Sequence, residues 1–296
     1  MREPLVLEPD LRVICAPNPS PMTGEGTNTY LLGASRIVVI DPGPRDDAHL
    51  AALHAAIGTR PVEAILVTHA HLDHSPLARG LAAETGAPVL AFGDASAGRS
   101  ERMTALVAQG FTGGGEGVDA DFRPDRWLGD GEQLFLEGAP IRALWTPGHF
   151  SNHLCFIWRS AAFSGDHVMG WSSTFVSPPD GDIRAYMRSL DRLEAARARV
   201  LYPGHGAPVH DPAARISELR AHRLAREAAI LAALDNGPQR IDELVTTIYT
   251  DTPLALHRAA ARNVLAHLID LEARGLVLAA PELCPEAVFH RQDQPV

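Results

Sequence analysis

The chain has 296 residues, of which 46% are hydrophobic, and it carries a formal net charge of −10 at pH 7. This length and apolar content allow one large domain, or a large and a small one, with a sizeable core, and they exclude wholesale disorder. The acidic balance disfavours sequence-independent binding of nucleic acid, because such binding relies on basic surface. The net charge does not exclude a local basic groove on the surface.

Cysteine usage and hydropathy bear on the compartment. Cys15, Cys155 and Cys284 are far apart and odd in number, so they provide neither a disulfide framework nor a Cys-x-x-Cys zinc pair. No run approaches the ~18–20 apolar residues of a membrane span, and the first residues lack the apolar core of an export signal. We therefore expect a cytoplasmic protein with no membrane association.

Short β-rich runs alternate with helical patches over the first two hundred residues. A helix is predicted at 48–57, and 110–121 is predicted to be a loop because it lacks the Lys-Ser/Thr ending of a phosphate-binding loop. The predicted strands are residues 11–15, 29–32, 37–40, 64–67, 89–92, 141–144, 153–158, 161–164 and 200–202. This alternation predicts a layered α/β domain, to which we assign residues 1–211.

The composition changes in residues 212–296, which we predict to form a small, mainly helical domain. Helices are predicted at 213–234, 241–249 and 254–273, followed by a strand at 275–278. This order resembles a winged helix-turn-helix, a module that reads DNA when its long helix carries basic or amide side chains. Asp270 and Glu272 on that helix, together with the net charge, favour a structural or dimerising role.

Four side chains that can bind metal lie within six residues, directly after the predicted strand 64–67. They are His69, His71, Asp73 and His74. His69 and His71 point the same way if the chain is extended there, and a turn brings the other two into the same pocket. Imidazole and carboxylate ligands suit a catalytic Zn²⁺, Fe or Mn²⁺ with an activated water, whereas structural zinc sites are rich in cysteine.

Three further segments end a predicted strand with a possible ligand. His149 follows Thr-Pro-Gly, Asp166 follows Ser-Gly, and His205 follows Tyr-Pro-Gly. Each is weak evidence when taken singly. Together with the first cluster they make seven candidate ligands, which is enough for two metals, with Asp166 able to bridge.

The ordered set His69-x-His71-x-Asp73-His74, His149, Asp166 and His205 resembles the metallo-β-lactamase superfamily. The similarity extends through 26–30 and 40–43 and covers roughly residues 10 to 210. It implies a four-layer αββα sandwich with a dinuclear site at the edge of its two sheets. By this resemblance one metal binds His69, His71 and His149, the other binds Asp73, His74 and His205, and Asp166 and a hydroxide bridge them.

The resemblance also implies two divalent ions, with zinc preferred over iron or manganese, and a bridging hydroxide as the nucleophile. Asp73 would orient that nucleophile or carry its proton to the leaving group. Asp41 and Thr68 are candidates for fixing the ligand imidazoles, since metal-bound histidines usually need such partners. His153 either lines the pocket or is simply a polar residue of its strand.

Asp166 narrows the range of reactions that the site could catalyse. A bridging carboxylate is typical of glyoxalase II and of phosphodiesterases, whereas true zinc β-lactamases generally have Cys or Ser there. Residues 122–131, 180–206 and the winged-helix-like tail are similar to the β-lactamase-like endoribonuclease family, which cleaves single-stranded RNA. That family usually has Thr where this chain has Phe150, so the pocket shape is expected to differ.

Three hypotheses follow. The first is a phosphodiesterase acting on single-stranded RNA, and the alternative is a glyoxalase-II-like hydrolase of a small-molecule ester, thioester or lactone. The third is a non-enzymatic binding or regulatory protein, against which the intact ligand set argues. The Ala- and Leu-rich helix 213–234 offers a face through which a homodimer could form.

Overall fold

Two β-sheets carry the first part of the chain in a computed structural model, which describes residues 3–113 and 117–292. The first sheet has seven strands in chain order, and they are antiparallel as far as β4 and parallel from β4 to β7. They are β1 (Leu5–Glu8), β2 (Leu11–Cys15), β3 (Asn28–Leu32), β4 (Ile37–Ile40), β5 (Val62–Leu66), β6 (Val89–Ala91) and β7 (Arg126–Trp127).

Parallel neighbours require crossovers, and helices supply them. α1 (Asp47–Ile57) connects β4 to β5, α2 (Ala78–Thr85) connects β5 to β6, and α3 (Glu101–Ala108) precedes β7. The first of these helices begins where the Asp46 side chain accepts a hydrogen bond from the His49 amide at 2.7 Å.

The second sheet has five strands in the order β12-β11-β10-β9-β8, and only β11 and β12 are parallel. α4 (Ile183–Ala195) connects that parallel pair and is capped by the Asp182 carboxylate. The strands are β8 (Gln133–Leu136), β9 (Ala139–Trp145), β10 (Leu154–Trp158), β11 (Ala161–Gly165) and β12 (Val200–Pro203).

Three apolar cores define the layers. α1 and α2 pack on the outer face of the first sheet, and the inner faces of both sheets meet around residues such as Tyr30, Phe156 and Phe163. α4 and the beginning of α5 (Pro212–Leu234) cover the outer face of the second sheet. The predicted αββα sandwich is therefore confirmed.

A fourth core belongs to the C-terminal region. It contains α6 (Ile241–Ile248), a 3₁₀ turn (Leu254–Leu256), α7 (His257–Ala273) and an antiparallel hairpin of β13 (Val277–Ala280) with β14 (Val288–Arg291). This confirms the predicted winged-helix arrangement. The end of α5 and two residues of α3, Met103 and Leu106, pack into the same core. α5 thus belongs with its beginning to the core on the second sheet and with its end to the C-terminal core. The division of the chain into two domains at 211/212 stays a prediction.

Some predicted boundaries differ from the structure. The helix predicted at 254–273 begins at His257, because a tight 3₁₀ turn follows Pro253. The strand predicted at 275–278 begins at Val277, since Gly275 takes a left-handed conformation (φ 69°) that ends α7. Part of the predicted loop 110–121, residues 114–116, lies outside the described residues. Among those described, no helix has both the length and the apolar character to cross a bilayer.

Candidate metal centre

The predicted ligands come from both sheets and converge at one edge of the sandwich. The segment His69–His74 follows β5 of the first sheet, whereas the other three ligands follow β9, β11 and β12 of the second sheet. The structure brings all seven predicted ligands together. They fall into three overlapping groups whose ligand atoms lie within 4.8 Å of one another: His69, His71 and His149; His69, His74 and Asp166; and Asp73, His74 and His205.

One half of the cluster consists of imidazoles alone. His71 Nδ1 lies 2.9 Å from His69 Nε2 and 3.2 Å from His149 Nε2. Burial and the neighbouring imidazoles lower the pKa of His71 to about 3, and burial also lowers the pKa values of His69 and His149. These rings are therefore neutral at pH 7, which is the state that binds a metal.

The other half contains the carboxylates. His205 Nε2 lies 3.2 Å from Asp73 Oδ2 and 3.3 Å from Asp166 Oδ2, and His74 Nε2 lies 3.4 Å from Asp166 Oδ1. Burial lowers the pKa of His205, but Asp166 and Asp73 outweigh it and raise that pKa to about 10. His149 Nε2 is 3.7 Å from Asp166 Oδ2, so this carboxylate lies between the two halves.

Four of the five rings are oriented by a hydrogen bond on their outward nitrogen. In each case Nδ1 meets an oxygen outside the cluster, which directs Nε2 inward. The oxygens are Thr68 Oγ1 for His69 (3.0 Å), Asp41 Oδ2 for His74 (2.9 Å), the Phe175 carbonyl for His149 (2.6 Å) and the Gly26 carbonyl for His205 (3.1 Å).

The cluster fits divalent cations. Nitrogen and carboxylate donors without cysteine are those of catalytic Zn²⁺, Fe and Mn²⁺ sites. His74 Nε2 and Asp166 Oδ1 are buried and have no hydrogen-bond partner among the described residues. Buried polar atoms are normally satisfied, and a cation between these two would satisfy both.

Asp41 supports the cluster from the end of β4. Its carboxylate accepts hydrogen bonds from the Thr68 amide and hydroxyl, both at 2.7 Å, and meets His74 Nδ1. It is 2% exposed and has a left-handed backbone (φ 50°), which aims the carboxylate back at the ligand segment. The structure thus places Asp41 in contact with the His74 imidazole and Thr68 in contact with the His69 imidazole.

The structure places His153 behind the cluster, outside the pocket. Its Nδ1 lies 2.9 Å from Thr146 Oγ1, its Nε2 accepts from the Asp166 amide at 3.3 Å, and its ring is fully buried. A Cβ on Gly165 would lie 2.6 Å from His153 Nε2. This close approach explains the glycine before Asp166.

A pocket of about 450 Å³ opens onto the cluster. Its floor includes His71, Asp73 and His205. Its walls come from residues 20–23, from 169–175 and from the C-terminal region at 255–262. The catalytic sandwich and the winged-helix region therefore share one pocket.

Sequence reasoning missed several contributors. The Thr27 hydroxyl donates to Asp73 Oδ2 at 3.1 Å, and the Asn28 amide nitrogen donates to the carbonyls of Pro203 and Gly206. The motif at residues 26–30, which carries part of the family resemblance, was the available signal for both. No sequence signal pointed to Phe175, which contacts His149 through its main chain.

Comparisons with known proteins agree with this fold. Residues 22–205 match the Metallo-beta-lactamase superfamily, and residues 241–282 match the Beta-lactamase associated winged helix domain. The chain therefore belongs to the metallo-beta-lactamase superfamily and is a metal-dependent hydrolase. The non-enzymatic hypothesis is not retained.

Individual relatives cover most of the chain. A "Beta-lactamase-like protein 2 homolog" of Drosophila melanogaster is 32% identical over 272 residues. The match covers 87% of this chain and 86% of the relative's length. An "Atrochrysone carboxyl ACP thioesterase" of Aspergillus fumigatus is 31% identical and covers 78% of this chain and 67% of its own. A metallo-beta-lactamase family protein from Thermus thermophilus superposes with a TM-score of 0.76 at 30% identity, covering 97% of this chain and 100% of its own.

Proposed function

We propose that this hydrolase splits acyl thioesters with two divalent cations, zinc in first place and iron or manganese as alternatives. Asp166 would lie between the two ions, and the remaining ligands would divide as the two halves of the cluster do. The ion of the imidazole half would bind His69, His71 and His149; the ion of the carboxylate half would bind Asp73, His74 and His205.

The apolar wall of the pocket carries this proposal. Met22, Met169, Phe175 and Leu256 line the same pocket as five of the candidate ligands. Such a wall suits an acyl chain, because burial of apolar surface stabilises binding by about 25 cal/mol per Å².

The relative from Aspergillus fumigatus supports the same choice, because its name is that of a thioesterase acting on an acyl carrier protein. The net charge of −10 is a weaker argument in the same direction, since it opposes a polyanionic substrate.

The chain's own residues can handle the proton of the reaction. Bound cations would lower the pKa of a water molecule and polarise the thioester carbonyl. Asp73 lines the pocket, is held by Thr27, and can orient the attacking water and take its proton. The water oxygen bonds to the carbonyl carbon, the carbon–sulfur bond breaks, and Asp73 passes the proton to the thiolate. The products are a carboxylic acid and a thiol.

A phosphodiester of single-stranded RNA is the second candidate, and the arginines of the pocket favour it. Arg258 and Arg262 line its C-terminal wall and could face an anionic group. Among the described residues that line the pocket, Phe175 is the only Phe, Tyr or Trp, whereas single-stranded RNA is usually held by stacking on several aromatics. We therefore place thioester hydrolysis first and keep RNA cleavage as the alternative.

A parallel assay distinguishes the two. Protein of measured metal content is given an acyl N-acetylcysteamine thioester, S-lactoylglutathione, a long-chain lactone and a single-stranded RNA, with the H71A variant as the inactive control. We expect kcat/KM for one thioester to exceed background by several orders of magnitude while the RNA stays intact. RNA cleavage with intact thioesters would reverse the order of the two candidates.

A further inference from the structure

We infer that Arg223 and Asn263, on the C-terminal helices α5 and α7, are positioning residues for the metal ligand His149. They act through the segment Thr174-Phe175-Val176, called here the 174–176 segment. This inference rests on the ligand set of the proposed function and does not depend on the substrate.

Each residue of the 174–176 segment has a main-chain group held from outside. The Phe175 carbonyl meets His149 Nδ1 at 2.6 Å. The Thr174 carbonyl accepts from the Arg223 guanidinium, and the Val176 amide donates to Asn263 Oδ1 at 3.1 Å. The carbonyl that orients His149 therefore lies between two contacts with the C-terminal helices.

Packing alone does not explain why an arginine is buried at position 223. It is 2% exposed, and among the described residues it pairs with no carboxylate. Burying a guanidinium without an opposite charge beside it costs free energy, so an apolar side chain would serve packing better. The guanidinium also donates to Asn263 Oδ1 at 3.2 Å and lies over the Tyr186 ring at 5.4 Å.

Asn263 joins the two contacts, because its single Oδ1 accepts from both the Val176 amide and Arg223. Loss of this acceptor would leave a buried amide and a guanidinium without their partner and free the segment to move. His149 Nε2 is only 3.2 Å from His71 Nδ1, so a small shift of the ring would disturb the imidazole half. Partners of ligand histidines typically contribute 10–100-fold to metal affinity.

The test compares substitutions of similar size at one position. N263L removes the acceptor, whereas N263D keeps an oxygen for both donors. N236L makes the same change as N263L at an exposed residue just after α5, where the side chain donates to the Ala232 carbonyl. Zn²⁺ affinity is measured by chelator competition, and the Co²⁺-substituted protein is followed by its visible absorption, which reports ligand geometry.

We expect N263L to change the Co²⁺ spectrum and to lose affinity for one of the two ions, by up to the roughly 10–100-fold that loss of a direct ligand partner costs. N263D should stay near the parent, and N236L should match it. Parental affinity and spectrum in N263L would overturn the inference. So would equal losses in N263L and N263D, because the acceptor would then be irrelevant.

A measurement on the unmodified protein decides the matter if N263L does not fold. Coupling between two sites is reciprocal, so Zn²⁺ binding must in turn stabilise the contacts of Asn263. Hydrogen exchange of peptides covering 174–176 and 257–265 should slow when Zn²⁺ is added. Unchanged exchange in the α7 peptide would overturn the inference. Failure of every thioester assay with these metal effects intact would count against the proposed function alone.

Discussion

The ligand segment His69–His74 and helix α7 both reach the pocket, but they differ in chemistry. The ligand segment offers four donor side chains in six residues, and its three imidazoles are each at most 9% exposed. α7 offers Arg258, Ala259 and Arg262 on the opposite wall and no predicted ligand. On the proposed function, the ligand segment would determine the reaction, whereas α7 would shape the substrate pocket and, by the further inference, steady the site.

Loss of a ligand from the first region is expected to have the largest effect. H71A should lower the content of bound metal and reduce kcat/KM by about a thousandfold, because metal ions supply several kcal/mol of transition-state stabilisation. Metal analysis and steady-state kinetics check this. H54A, on the exposed face of α1, is the control. Full metal content and activity in H71A would contradict the assignment of the ligand segment to metal binding and catalysis.

Asp41 tests whether the ligand segment depends on its support. D41N keeps the size of the side chain and an acceptor for the Thr68 amide, but it loses the charge beside His74 Nδ1. We expect metal affinity to fall about 10–100-fold. D46N is the matched control, since Asn caps a helix as well as Asp does. An unchanged affinity in D41N would show that the imidazole needs no such partner.

Arg258 tests the second region. R258Q should raise KM for an anionic thioester roughly fivefold, corresponding to about 1 kcal/mol for a partly exposed charge, and leave kcat and metal content unchanged. The effect should shrink as salt is added. R220Q, which removes an arginine paired with Asp191 and Glu194, is the control. A drop in metal content in R258Q would contradict the expectation that Arg258 acts on substrate binding alone.

Glu137 lies outside both regions and should give the smallest effect. Hydrogen bonds from the Ser35 hydroxyl and from the amides of Ser35, Arg36 and Ala34 lower its pKa from 4.5 to about 2. The stability it contributes is therefore present above pH 4.5 and lost as the pH falls through about 2. The urea midpoint of E137Q should lie slightly below that of the parent at pH 7 and converge with it towards pH 2. A change in metal content or KM would contradict this assignment.

Much of the site was predictable because its ligands occur in local motifs. His69, His71, Asp73 and His74 lie within one six-residue segment, and His149, Asp166 and His205 each follow a β-strand and a glycine. Edge strands were harder to predict. β8 is largely exposed and β1 partly so, and each is an edge strand of only four residues.

The sequence by itself determined a layered α/β domain, the winged-helix order and the seven candidate donor side chains, because each depends on local periodicity or on a short motif. The αββα sandwich was expected only from the resemblance to a known superfamily. The tertiary structure decided which oxygens orient the ligand rings and which residues close the pocket. The Phe175 carbonyl, Arg223 and Asn263 meet across long separations in the chain, and a main-chain carbonyl is the same in every residue. Contacts of that kind depend on how α5 and α7 pack against the sandwich, and no local pattern records that packing.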